Sequence, residues 1–153
     1  MNWKKFIGAL ALPLAVGGLA TLLSGGTEIY TVLNKPPLAP PGWLFPLVWT
    51  ILYLLMGYAS YRVLENANRG EARFKALVLY GAQLLANFIW PLLFFGGMWL
   101  LVSLIWLLLL WVLILLTLRA FMSVDETAGN LLIPYILWVT FAGYLNFGFL
   151  ILN

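Results

Sequence analysis

The sequence predicts an all-α membrane protein in which five transmembrane helices form a single bundle. Its 153 residues are 64% hydrophobic and 8% charged, with a mean hydropathy of +1.01. Soluble domains carry about 25% charged residues, so this chain has too few charges to cover a water-facing surface. Its five uncharged runs are long enough to cross a hydrocarbon core, which takes about 20 helical residues. With short connections they use the whole length, which predicts one domain over residues 1–153.

The five runs are continuously apolar, whereas the strands of a membrane β-barrel alternate polar and apolar residues. The first run follows Lys4 and Lys5, as the apolar part of a secretory signal does. It is long for such a signal, and we interpret it as the first transmembrane helix. The predicted spans are residues 6–23, 43–61, 76–95, 98–118 and 131–152.

The connection between the first two spans, residues 24–42, is long for so small a protein. It contains Pro36, Pro37, Pro40 and Pro41, and proline fixes φ and lacks an N–H donor, so the stretch should be extended and stiff. Long loops in compact domains are often lids or binding elements. We therefore predict a Pro-rich lid loop, with a plain connector as the alternative.

Three further prolines, Pro13, Pro91 and Pro134, fall in the first, third and fifth spans. Proline inside a helix removes a hydrogen bond and kinks the axis, so we expect these helices to diverge and to leave space between them. The fourth span is rich in leucine and has no proline. It is a candidate for a straight wall and for a dimer face.

Composition excludes several kinds of site. The chain has no cysteine and no histidine, which rules out disulfides, thiolate zinc sites, cysteine nucleophiles and haem held by axial His or Cys. No charge lies well inside a span, which argues against proton relays. The net charge of +3 is too small to indicate nucleic acid binding. We expect no required cofactor and no metal.

Aromatic and amide side chains follow helical spacing on four of the five spans, so that each set shares one helix face. Polar groups within lipid face the bundle interior and pair with one another. Such a set either joins helices through hydrogen bonds or lines a cavity for a flat, largely apolar ligand. The depth of the central tryptophans favours the cavity, whereas Trp3, Trp43 and Trp99 fit the membrane interface. The candidate cavity residues are Trp49, Tyr53, Gln83, Asn87, Trp90, Tyr135, Trp138, Ala142 and Asn146.

Four segments carry a family resemblance. They are residues 30–43 (YTVLNKPPLAPPGW), 49–57 (WTILYLLMG), 83–96 (QLLANFIWPLLFFG) and 134–146 (PYILWVTFAGYLN). In these motifs the chain resembles the translocator protein family, also called the peripheral-type benzodiazepine receptor or tryptophan-rich sensory protein family. The resemblance extends in register over nearly the whole chain.

The resemblance implies a five-helix bundle, often a homodimer, with a pocket closed by the loop between helices one and two. It implies binding of porphyrins such as protoporphyrin IX or haem, and of synthetic isoquinoline and benzodiazepine-type ligands. Some bacterial members are reported to promote light-dependent breakdown of protoporphyrin. By position, Trp49 and Trp138 correspond to the tryptophans of that photochemistry, Tyr30 to the lid tyrosine, and Asn87 and Gln83 to pocket amides.

Two features depart from the family pattern. The family lid has tryptophans at the positions of Ile29 and Leu38, so lid stacking on a porphyrin is weakened here. The cholesterol motif of animal members needs a tyrosine and a base after Leu145, and Asn146 and Phe147 follow instead. We expect no cholesterol function, and a bacterial-type member in a bacterial cell membrane.

The sequence thus predicts a tetrapyrrole-binding membrane protein that acts as a sensor or scavenger. An exporter of porphyrins or other apolar molecules is the alternative, although no internal repeat typical of transporters is evident. A conventional enzyme lacks acid, base and nucleophile candidates, whereas photo-oxidation by Trp49 and Trp138 needs none. A structural or partner-regulating protein with an incidental pocket is the remaining alternative.

The charge distribution predicts the orientation. We expect the N-terminus in the cytoplasm and the C-terminus outside, because basic residues concentrate in cytoplasmic segments. Reporter fusions at residues 1 and 153 should show a cytoplasm-active reporter at the first and an exported one at the second. The reverse pattern would contradict the prediction. One side of the predicted bundle carries Lys4, Lys5, Arg62, Arg69, Arg73, Lys75 and Arg119, and the other side carries only Lys35.

Overall fold

A computed structural model describes residues 2–26, 28–66, 68 and 70–153 of the chain. Five of its helical segments are long and apolar enough to cross a membrane, and the described residues contain no strand. The predicted fold class is therefore confirmed. The helices are α1 (Trp3–Ser24), α2 (Leu44–Leu64), α3 (Gly70–Pro91), α4 (Leu100–Val124), the short α5 (Glu126–Asn130) and α6 (Ile133–Leu152), with a 3₁₀ turn at Glu28–Thr31 and a π-helical turn at Leu92–Gly96.

The helices extend beyond the apolar runs. Helix α3 begins six residues before the predicted third span, and α4 ends six residues after the predicted fourth one. An apolar run marks the part of a helix within hydrocarbon, whereas backbone hydrogen bonding continues into the polar region. Much of the two connections predicted on the basic side is therefore helical. Arg69, one of the basic residues counted there, lies outside the described residues.

The prolines act differently from one another. Pro13 lies inside α1, as predicted, and Pro91 is the last residue of α3, where the π-helical turn takes over. The expectation that Pro134 kinks the interior of the fifth helix is wrong, because α6 begins at Ile133 and Pro134 lies in its first turn. Proline is tolerated there because the first N–H groups of a helix have no intrahelical acceptor.

Around the bundle the helices follow the order α2, α1, α3, α4 and α6, each packed on the next. Glycine permits the closest of these contacts. A Cβ on Gly57 of α2 would lie 2.7 Å from the carbonyl oxygen of Ala9 in α1, and one on Gly17 would lie 2.2 Å from the Tyr53 ring. The first two helices therefore pack almost backbone to backbone.

The basic side of the bundle is joined by polar contacts. Arg62 Nε, near the end of α2, lies 2.9 Å from Asp125 Oδ2, and Asn66 donates to the carbonyl oxygen of Val124. Asp125 also caps the start of α5 by accepting from the backbone N–H of Thr127. The end of α2 is thereby attached to the turn between α4 and α5.

The α1–α2 contact makes a specific prediction. Gly57→Ala should destabilise the protein by about 1–3 kcal/mol, the usual cost of overpacking, because the new methyl group meets the backbone of α1. Gly8→Ala is the matched control, since nothing lies within 4 Å of its Cβ position, and alanine favours the helix by about 1 kcal/mol. Thermal unfolding of both variants in one detergent measures the difference. Equal stabilities would show that the two helices are not closely packed.

Candidate ligand cavity

A cavity of about 230 Å³ lies among α1, α2, α3, the π-helical turn, α6 and the lid loop, residues 24–42. Eight of the ten candidate site residues line it. The other two, Gln83 and Tyr135, are buried behind the wall. The eight lining residues are Tyr30, Trp49, Tyr53, Asn87, Trp90, Trp138, Ala142 and Asn146.

A chain of hydrogen bonds holds the amide in the cavity wall. The Tyr53 hydroxyl donates to Asn87 Oδ1 at 2.9 Å, and Asn87 Nδ2 donates to the Tyr135 hydroxyl at 2.6 Å. Tyr135 in turn donates to Gln83 Oε1 at 2.7 Å. Gln83 and Tyr135 therefore act on the cavity through Asn87, which they orient. Tyr135 also packs against Trp49. An amide nitrogen has two N–H donors, and one of those on Asn87 has no part in this chain.

A second polar centre joins three helices at Asn146 of α6. Its Oδ1 accepts from Trp90 Nε1 at 3.1 Å and from Ser103 Oγ at 3.2 Å. Its Nδ2 donates to the carbonyl oxygen of Leu100 at 3.0 Å. Asn146 thereby joins α6 to α3 and α4, and one N–H of its amide nitrogen lies outside these bonds.

Aromatic rings form most of the cavity wall. The ring centroids of Trp49 and Tyr53 lie 5.5 Å apart on α2. Trp90 stacks on Phe94 with 5.1 Å between the ring centroids. At the boundary of α2 with α6, the ring centroids of Trp138 and Phe45 lie 6.0 Å apart in an edge-on arrangement. These are ordinary separations for favourable aromatic pairs. The wall offers flat faces and few polar atoms.

Tyr30 is the lid loop's main contribution to the wall. Its ring packs edge-on against Phe45 and Phe149, and its hydroxyl donates to the carbonyl oxygen of Pro40. Burial raises the pKa of this phenol, so it remains a neutral donor at physiological pH. Tyr30 thereby fixes the start of the loop to its own proline-rich end.

The rest of the lid loop is docked on α6. Asn34 exchanges hydrogen bonds with Asn153, and its side chain also donates to the carbonyl oxygen of Leu152. The Tyr144 hydroxyl donates to the carbonyl oxygen of Pro37. Pro36 packs so closely that a Cβ on Gly148 would lie 2.5 Å from it. Leu38, where the family has tryptophan, is 83% exposed and does not line the cavity.

Sequence reasoning missed several lining residues. Phe45, Phe94 and Phe149 line the cavity but lack hydrogen-bonding side-chain atoms, so the pairing of aromatic and amide residues on one helix face does not indicate them. The first helix contributes Gly17, Ala20, Thr21 and Ser24. These small residues recur every three or four positions, so they share one face of α1. That spacing was the signal available in the sequence.

The described lining contains no charged side chain, and the described residues contain no cluster of His, Cys, Asp or Glu that could hold a metal ion. Stacking, apolar contact and a few neutral hydrogen bonds are what the cavity can offer. Such a site suits a flat, largely apolar molecule. The ligand-binding role of the individual residues stays a prediction.

Comparison with known proteins places this geometry in context. A model of the TspO/MBR family matches residues 9–152. The tryptophan-rich protein TspO of Chlorobaculum tepidum is 43% identical over 146 residues, which cover 94% of this chain and 92% of the relative. The tryptophan-rich sensory protein of Cereibacter sphaeroides is 39% identical, with coverages of 100% and 94%. The translocator protein of Bos taurus is 36% identical, with coverages of 95% and 88%.

The hydrogen bonds around Asn87 predict that replacing two buried tyrosines by phenylalanine will have different effects on stability. Tyr135→Phe leaves Asn87 Nδ2 and Gln83 Oε1 without their partner, which should cost about 1–3 kcal/mol. Tyr80→Phe is the matched control, because Tyr80 is also buried and its hydroxyl takes no part in the hydrogen bonds that hold Asn87. Unfolding in the same detergent should show a lower stability for Tyr135→Phe alone. An equal loss of stability in the two variants would mean that these hydrogen bonds do not hold Asn87.

Proposed function

The chain belongs to the TspO/MBR family, and we propose that it is a multi-pass membrane protein that binds tetrapyrroles such as protoporphyrin IX or haem. Its role is that of a sensor or scavenger in a bacterial cell membrane. The observation that carries the proposal is the cavity wall of flat aromatic rings without a charged side chain. The curated relatives are named as sensory and as translocator proteins.

The chemistry of the wall supports a planar, apolar ligand. Trp49 of α2 and Trp138 of α6 both line the cavity, beside rings that meet them edge-on or at an angle. Aromatic stacking contributes about 0.5–1.5 kcal/mol per pair beyond burial. The spare N–H of Asn87 adds one neutral donor. A macrocycle with an extended π system would make contacts of both kinds.

The size of the cavity constrains how such a ligand is held. Cavities for drug-sized ligands are about 300–1,000 Å³, and this one is about 230 Å³. A tetrapyrrole therefore requires that part of the wall moves outward or that part of the ring projects from the cavity. One pyrrole ring of the macrocycle would enter with less movement of the wall. The same holds for a bicyclic ligand of the isoquinoline type.

Light-dependent breakdown of protoporphyrin is a second candidate function. The observation that favours it is that both Trp49 and Trp138 line the cavity. A bound porphyrin absorbs light itself, and an indole is far easier to oxidise than a phenyl ring. No acid, base or nucleophile is needed from the protein for that chemistry.

Titration with protoporphyrin IX tests the proposal. The wild-type protein in detergent should bind it saturably in the dark, as measured by absorbance and by quenching of tryptophan fluorescence. Trp138→Ala should weaken binding about tenfold or more, since lost stacking and lost burial together exceed 1.4 kcal/mol. Trp3→Ala is the control, because Trp3 is 63% exposed and lies outside the cavity.

Absence of saturable binding by the wild-type protein would contradict the proposal. The same samples under illumination separate the two functions. Trp49→Phe and Trp138→Phe keep an aromatic face, so binding should persist while bleaching slows if the indoles take part. Bleaching no faster than in detergent alone would leave a binding protein without photochemistry.

A further inference from the structure

The ring of helices around the cavity is closed on four sides and loose on the fifth. Helix α1 packs on α2 and α3, and α4 packs on α3 and α6. Between α2 and α6, in the described part of the chain, there is hardly any close approach of the two backbones. We call this boundary the α2–α6 seam. At the basic side it is closed by the contact of α2 with α5 and by the Arg62–Asp125 ion pair.

Aromatic side chains bridge the seam. The ring centroids of Phe45 and Trp138 lie 6.0 Å apart, and those of Trp49 and Tyr135 lie 6.2 Å apart. Both pairs are edge-on. Phe45, Trp49 and Trp138 are each partly exposed and also line the cavity. These three rings therefore separate the cavity from the surrounding lipid by the thickness of one side-chain layer.

Among the described residues, the seam also lacks the indole hydrogen bonds that join α3, α4 and α6. Indole N–H groups link neighbouring helices elsewhere, as Trp90 does to Asn146 and Trp106 to the carbonyl oxygen of Ala86. The N–H of Trp138 is buried and has no partner. No hydrogen bond of that indole therefore holds α6 to α2, and a rotation of its side chain breaks only apolar contacts.

The lid loop is attached much more firmly. Its docking on α6 uses the hydrogen bonds between Asn34 and Asn153, the bond from Tyr144 to Pro37 and the close seat of Pro36 on Gly148. Opening the cavity through the loop breaks all of these together. Opening it through the seam displaces the rings of Phe45 and Trp138 and breaks only aromatic contacts, including that of Phe45 with Tyr30.

We propose that the α2–α6 seam is the portal through which the ligand enters the cavity, directly from the bilayer. The inference rests on the proposed tetrapyrrole binding, because a lipid-soluble ligand concentrates in the hydrocarbon next to the seam. Entry requires rotation of the Phe45 and Trp138 rings, while the lid loop stays docked. The outward movement that a macrocycle requires is thereby assigned to the seam.

Locking the loop tests the route. The chain has no cysteine, so Asn34→Cys combined with Asn153→Cys introduces a single possible disulfide between two residues already in contact. Mass spectrometry confirms the bond in protein reconstituted into phosphatidylcholine vesicles, to which protoporphyrin IX is then added. The association rate, followed by tryptophan quenching, should stay within about twofold of the reduced sample. An association rate about tenfold lower in the oxidised sample, restored by reductant, overturns the portal. Affinity differences usually arise from the dissociation rate, so a change in the association rate reports on the entry route.

Widening the seam provides the second measurement. Phe45 also contacts Tyr30 of the lid loop, so Phe45→Ala is made in the oxidised, locked protein. There it should raise both the association and the dissociation rate several-fold, whereas a loop route predicts unchanged rates. Phe147→Ala is the matched control, because Phe147 is 52% exposed on α6 and does not line the cavity. Unchanged rates in Phe45→Ala overturn the portal.

The outcomes distinguish the two proposals. If binding is saturable but locking the loop slows association, the portal is overturned and the proposed tetrapyrrole binding stands. Absence of saturable binding in the wild-type vesicles overturns the proposed function, and the portal falls with it. If binding is saturable, locking the loop leaves the association rate unchanged and Phe45→Ala raises it, both the proposed function and the portal are supported.

Discussion

The need to satisfy polar groups without water governs this bundle. Hydrocarbon offers no hydrogen-bond partners, so an amide or hydroxyl between the spans is stabilised by a partner within the protein. Asn87 and Asn146 meet that need by bonding across α2, α3, α4 and α6. The same bonds fix the positions of Tyr53, Tyr135 and Trp90. The shape of the cavity therefore follows from where two asparagines find their partners.

Aromatic side chains fill the space that this polar framework leaves. Large rings keep α2 and α6 apart while still bridging them, as Phe45 and Trp138 do. Small residues have the opposite effect on the other side, where Gly17 and Gly57 bring α1 against α2. The contrast of small residues on one boundary and rings on another places the cavity off-centre, beside the α2–α6 seam.

Much of this could be predicted from the sequence, because the signals were local. Apolar run length gave the spans, and the spacing of Asn87, Trp90, Trp138 and Asn146 placed them on faces that the structure brings to one cavity. The role of Tyr135 could not be separated from that of Tyr53, because which hydroxyl borders the cavity depends on helix rotation. The ends of α3 and α4 and the place of Pro134 were also missed, since hydropathy marks the lipid-embedded part of a helix and not its last hydrogen bond.

The docked lid loop has a consequence for the order of synthesis. Its partners lie far along the chain: Asn34 bonds to Asn153, 119 residues later, and Pro37 to Tyr144, 107 residues later. Chains are made and inserted from the N-terminus onward, so the loop emerges on the ribosome long before α6 exists. During that interval its local contacts, such as the bond from Tyr30 to Pro40, form without α6. The docked arrangement of the loop can form only after α6 has entered the membrane, which makes cavity closure one of the late steps of biogenesis.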